Sequence, residues 1–235
     1  MRWAVSPGFG QTLEWRILLI CFQLQVGYEP NFSSGGAFAG IIGSMDTELL
    51  WSAIKSLDPL LFFIPLIWLV FIVARLLPVN RFGLIPRRSG GLFGIVSMPF
   101  LHEDFKHLMA NTVPLALLLA LLFNTEAGAT TVAILTQLLG GILLWVFGRR
   151  ANHIGASLMV FALTGFHIAN GLVQVKITTV AIALVVAGLY GTTFLTSINP
   201  WKKGSSWDGH LCGFLAGVGV AVFFASDYYK SFFPG

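Results

Sequence analysis

Six stretches of this chain are each long and apolar enough to cross a bilayer, and no other feature restricts its possible folds as strongly. They run from Pro59 to Leu77, His107 to Phe123, Ala127 to Phe147, Ile154 to Val173, Ile177 to Thr196 and Gly209 to Ala225. A spanning helix needs roughly 20 apolar residues to cover the hydrocarbon core. Inside that core each backbone N–H and C=O must find its partner within the segment, so such stretches become helices. The connections after the second to fifth stretches are short, which favours a bundle of sequence neighbours. Composition agrees: 56% of residues are hydrophobic and only 10% charged, against about 25% charged in a soluble domain. The expected fold class is an all-α membrane protein, a bundle of six transmembrane helices, and the first implied partner is the lipid bilayer.

The formal charge of +4 then bears on topology and anionic lipid. No basic patch with interleaved aromatics argues for nucleic acid. Cys21 and Cys212 are far apart and imply no disulfide framework. The longest connection, Pro78 to Phe100, mixes Arg81, Arg87 and Arg88 with Phe82, Leu84, Ile85, Leu92, Phe93, Ile95 and Val96. That mixture suits a segment lying in the membrane interface. Residues 1–44 read as a poorly ordered leader or a wrongly included start, with Met45 a sensible first residue. Their one apolar core, Ile17 to Phe22, is too short to span, and its distance from Ala37-Phe38-Ala39 fits a signal peptide poorly. Residues 45–58 read as an amphipathic lead-in, 59–226 as the membrane domain and 227–235 as a short tail.

Strongly polar groups in spans are costly and so mark candidate function. They fall into three clusters: His102, His107 and Asn111; Gly155, Ser157 and His167; and His210. The first resembles a zinc-binding HExxH helix, but its histidines are five apart rather than four, which on a helix points them about 140° apart. No metal is expected. His107 and Asn111, four apart, share a face and offer two donors of the kind an oxyanion hole needs. Ser157 lies near the start of the fourth span, where free backbone N–H groups and the positive dipole end sit. His210 begins the sixth. Two crossings separate these residues, so both lie on one membrane side at matching depth. Gly213 and Gly217 form a GxxxG pattern that lets the sixth helix press against the fourth. The imidazole of His210 would then reach the Ser157 hydroxyl and act as its base. Asp208 would face away, so the pattern is a dyad rather than a triad. Taken singly, each of these residues is more often a packing residue.

Together the segments resemble the rhomboid intramembrane serine proteases over about residues 58–226. The resemblance rests on His102-Glu103-Asp104-Phe105-Lys106-His107-Leu108-Met109-Ala110-Asn111, on Gly155-Ala156-Ser157, and on Gly209-His210 with Gly213 and Gly217. It implies a rhomboid-like bundle with a half-embedded first loop, residues 79–101, in the bacterial inner membrane. It implies a serine endopeptidase that uses no cofactor and cuts transmembrane protein substrates. Ser157 is then the nucleophile, and His210 the general base and later acid. His107, Asn111 and the Ser157 N–H are the oxyanion donors. His102 is structural, and the fifth span with the loop Ser197 to Asp208 forms gate and cap. The chain departs from the family pattern at Leu158, usually glycine or another small residue, and at Phe161, often tyrosine. Phe161 keeps a ring for His210 to pack on. Leu158 is expected to crowd the cleft, so Leu158→Gly should keep or raise activity.

Two other functions fit some of these features. A rhomboid pseudoprotease would bind transmembrane helices without cutting them, and a small transporter or channel would also bury polar groups. Against the last, the sequence has neither an inverted repeat nor an acidic relay in its spans. Positive-inside counting puts the side holding Arg81, Arg87, Arg88, Arg149, Arg150, Lys202 and Lys203 in the cytoplasm. The best-understood bacterial members of the family that the chain resembles open that side outward.

Overall fold

The most polar of the six stretches becomes the centre of the bundle. The computed structural model describes residues 62–126, 128–201 and 206–225, all within one compact unit, Glu48–Gly235. Its principal apolar helices are α1 (Phe62–Val73), α2 (Phe105–Thr125), α3 (Ala129–Phe147), α4 (Ser157–Gln174), α5 (Ile177–Ser197) and α6 (Trp207–Ala225). The five from α2 to α6 are each long and apolar enough to cross a membrane, and α1 is shorter within the described residues. The chain is thus an all-helical integral membrane protein in which five spans, rather than six, stand out by length. The expected first span ends early, at Val73, in a turn where the Arg75 guanidinium lies 4.5 Å over the Phe71 ring. Pro78 then disfavours helical backbone at the residue before it. The expected leader and tail, and the lead-in before α1, lie outside the described residues.

Local chemistry sets the helix starts. Asp104 caps α2, its carboxylate accepting from the His107 N–H at 2.7 Å. Gly155, with φ +108, turns the chain where no L side chain sits easily, so α4 begins at Ser157 and not at Ile154.

Of α4, 72% is buried, against 22% of α5. A helix in that position cannot leave polar groups unpaired. Thr164 Oγ1 donates to the Val160 carbonyl at 2.8 Å, His167 Nε2 lies 3.1 Å from the Leu118 carbonyl, and Asn170 Nδ2 donates to Glu126 Oε1 at 2.6 Å. The polarity of α4 therefore fastens it to α2 and to the turn after α2. Against its other side lies α6. A Cβ on Gly213 would run into the Leu158 carbonyl, and one on Gly217 into the Ala162 carbonyl. The two backbones touch because these positions lack side chains, the packing that small residues permit in bilayers.

Residues 74–104 form a lateral loop of short helical turns, Val79–Phe82, Ser89–Gly91, Gly94–Ser97 and Met98–Phe100. Leu84, Ile95 and Met98 enter a core cluster with Leu144, Leu158 and Cys212. Phe82, Leu92, Phe93 and Val96 remain exposed, the apolar outer face that an interfacial segment presents to lipid. Two bonds of an antiparallel bridge join Leu84 to His153, and the Gly155 N–H donates to the Met98 carbonyl at 2.9 Å. The loop is thereby tied to the turn that delivers Ser157.

Candidate active site

Ser157 is the first residue of α4. N–H groups in a helix's first turn have no intrahelical acceptor and point toward whatever lies beyond the helix start. His210 stands one turn into α6, and its backbone N–H bonds to the Ser206 carbonyl at 3.0 Å. With α4 and α6 in backbone contact, His210 Nε2 lies 3.2 Å from Ser157 Oγ. The other ring nitrogen, Nδ1, is 3.3 Å from the Ser197 carbonyl. A carbonyl can only accept, so this contact sets the tautomer: Nδ1 carries the hydrogen and Nε2 is free to accept from the serine. Ser197 is the last residue of α5. Its carbonyl is one of the last of that helix, which have no intrahelical donor, and so can hold the Nδ1–H. Phe161 packs on His210 with ring centroids 4.5 Å apart, backed by Phe194 at 5.6 Å.

The donors of α2 meet this pair from one side. Asn111 is buried and its Nδ2 donates to the His107 carbonyl at 3.1 Å. A Cβ built on Gly155 would collide with His107 Nε2 and come within 3.5 Å of Asn111 Nδ2. Both side chains therefore converge on the bare Cα two residues before Ser157, a second reason for glycine there.

His102 differs from the sequence expectation. Its ring does not point away from His107; the two centroids are 5.1 Å apart, edge to face. The helical angle failed because His102 precedes the helix, in the extended chain before Asp104. The ring is buried, neither nitrogen has a hydrogen-bond partner among the described residues, and its carbonyl accepts from Asn80 Nδ2 at 3.2 Å. Burial, reinforced by His107, lowers its pKa to about 4, so it is neutral at pH 7. No group of three or more metal-ligating side chains gathers among the described residues.

Leu158 also departs from expectation. It does not crowd the cleft. Its side chain is 1% exposed and turns into the core cluster, with Cδ2 against Gly140 of α3. Leu158→Gly is therefore expected to destabilise the protein by at least about 2–5 kcal/mol, the cost of emptying a buried leucine site. Thermal unfolding in detergent measures it; an unchanged melting temperature would contradict the buried position.

One network was not legible in the sequence. Asp208, which does face away from Ser157, accepts from the backbone N–H of Arg149 at 2.7 Å and from its guanidinium at 3.1 and 3.3 Å. His153 Nε2 is 3.7 Å from the same carboxylate, and its Nδ1 is 2.8 Å from Ser206 Oγ. The cluster clamps the end of α3 and the turn before α4 to the start of α6, and so fixes the height of His210. Its only sequence signal was an acid two residues before His210 and two arginines ending the third span.

Residues 89–227 match the family model described as Rhomboid domain. Uncharacterized proteins of Mycobacterium tuberculosis and Mycobacterium bovis are each 35% identical, over 73% of this chain and 76% of theirs. One of Mycobacterium leprae is 27% identical, over 88% of this chain and 81% of its own.

Proposed function

The chain belongs to the rhomboid family, and from that premise we propose that it is a serine endopeptidase cutting membrane-anchored proteins within or near the bilayer of a bacterial inner membrane. The observation that carries this reading is the contact of Ser157 Oγ with His210 Nε2 at 3.2 Å, with the opposite ring nitrogen on the Ser197 carbonyl.

Each step has a group to perform it. Ser157 Oγ attacks the scissile carbonyl carbon as its proton passes to His210 Nε2. The resulting imidazolium keeps its Nδ1–H on the Ser197 carbonyl, which does the orienting that an aspartate does in a triad. The tetrahedral oxyanion is received by His107, Asn111 and the Ser157 N–H. His210 then protonates the leaving amine, leaving an acyl ester on Ser157. Water hydrolyses the ester with His210 again as base. Substrate enters beside α5, the least buried of the long helices.

Purified protein in liposomes, incubated with a single-span model substrate, tests the proposal. Two fragments are expected from wild type and none from Ser157→Ala. Intact substrate bound by folded wild-type protein would instead favour a helix-binding pseudoprotease. Asn111→Ala should slow cleavage by roughly 10–1000-fold, the range for one oxyanion donor. The rate constant under saturating substrate reports it, and an unchanged value would remove Asn111 from the oxyanion hole.

A further inference from the structure

We propose that the turn Arg87–Gly91 of the lateral loop binds the phosphate of an anionic phospholipid headgroup. A cavity of about 500 Å³ opens there, lined by Ile85, Arg87, Arg88, Ser89, Gly90 and Gly91. Two arginines and a serine line it, and no acidic residue does among the described residues. The Arg88 side chain is exposed and makes no hydrogen bond or ion pair among the described residues.

The turn is held in a strained form. Arg87 has φ 57, in the left-handed region that favours glycine. Its N–H bonds to the Trp145 carbonyl at 3.1 Å and its Nη1 to the Val146 carbonyl at 2.9 Å. Trp145 Nε1 in turn donates to the Arg88 carbonyl at 3.1 Å. Glycine would meet the backbone requirement at position 87 without strain, so the arginine is there for its side chain. These bonds fix the Arg87 guanidinium and the backbone of both arginines at the end of α3, and leave the Arg88 guanidinium free to meet a ligand.

Depth and charge identify the occupant. Leu92, Phe93 and Phe147 are exposed apolar residues beside the turn, suited to acyl chains, while the arginines sit where headgroups begin. Arg149 and Arg150 lie on the same side, and the connections on the other side hold one cation, Lys176. A phosphate attached to acyl chains meets the cationic cavity and the apolar rim together; a free anion meets only the first.

The test uses the full chain in detergent, with thermal stabilisation read against added phosphatidylglycerol or phosphatidylcholine of the same acyl chains. Phosphatidylglycerol is expected to stabilise at lower concentration. That preference should fall by roughly fivefold with each of Arg88→Gln and Arg87→Gly, and should weaken in high salt. Arg88→Gln loses no side-chain partner among the described residues, so its unfolding without lipid should match wild type. Arg150→Gln, outside the cavity, should leave the preference intact. Equal stabilisation by both lipids, or a preference unchanged in the double variant, overturns the proposal. Full competition by inorganic phosphate would also overturn it, by making the cavity a site for free anions. None of these readouts depends on proteolysis, so failure here is distinct from failure of the proposed enzyme.

Discussion

Replacing Ser157 by alanine is expected to lower cleavage of a transmembrane substrate by at least about 10³-fold while leaving the protein folded. The fold tolerates the change because Ser157 Oγ makes one hydrogen bond among the described residues, at 3.2 Å to His210, and a single hydrogen bond contributes about 1 kcal/mol to stability. His210→Ala should cost a similar factor in rate, since without a base the hydroxyl remains protonated at neutral pH. The double variant should be no slower than either single one. Residues that act as a unit lose their whole contribution when either is removed. Multiplicative losses would mean that the two side chains act independently, contrary to the dyad.

Gly217→Val should have the largest structural effect. The new Cβ would enter the Ala162 carbonyl, which is helical backbone and cannot rotate away. Helices α4 and α6 must then part, at or above the top of the ~1–3 kcal/mol range for overpacking. Gly217 lies seven residues after His210, on the same face of α6, so whatever separates the helices there also draws the imidazole away from Ser157. The expected result is loss of folded protein from the membrane fraction and no activity in the remainder. Gly188→Ala is the control, because a Cβ on Gly188 meets nothing within 4 Å. Normal accumulation and activity of Gly217→Val would contradict the close approach.

The contrast between these two glycines shows what the sequence could tell. The GxxxG spacing of Gly213 and Gly217 marked an interface, and the polarity of α4 marked the helix that other helices surround. Both are patterns within one helix, repeated at its own period. The relation of Ser157 to His210 could be reasoned from counting crossings and matching depths. What escaped depended on backbone outside the spans. His102 was assigned a helical angle although the chain there is extended. Leu158 was assigned to the cleft because it follows Ser157, yet the first turn of α4 sends consecutive side chains in different directions, and the leucine points to α3. The Ser197 carbonyl, which sets the His210 tautomer, belongs to the backbone and has no residue-type signature. Arg149 and Asp208 are 59 residues apart, and only the packing of α3 against α6 unites them.

Mass spectrometry of the protein after exposure to a fluorophosphonate reads the Ser157–His210 dyad directly. One adduct is expected, on the peptide carrying Ser157, lost in Ser157→Ala and formed much more slowly in His210→Ala. Folded wild-type protein that takes up no adduct, or takes it up on another serine such as Ser206, would contradict it.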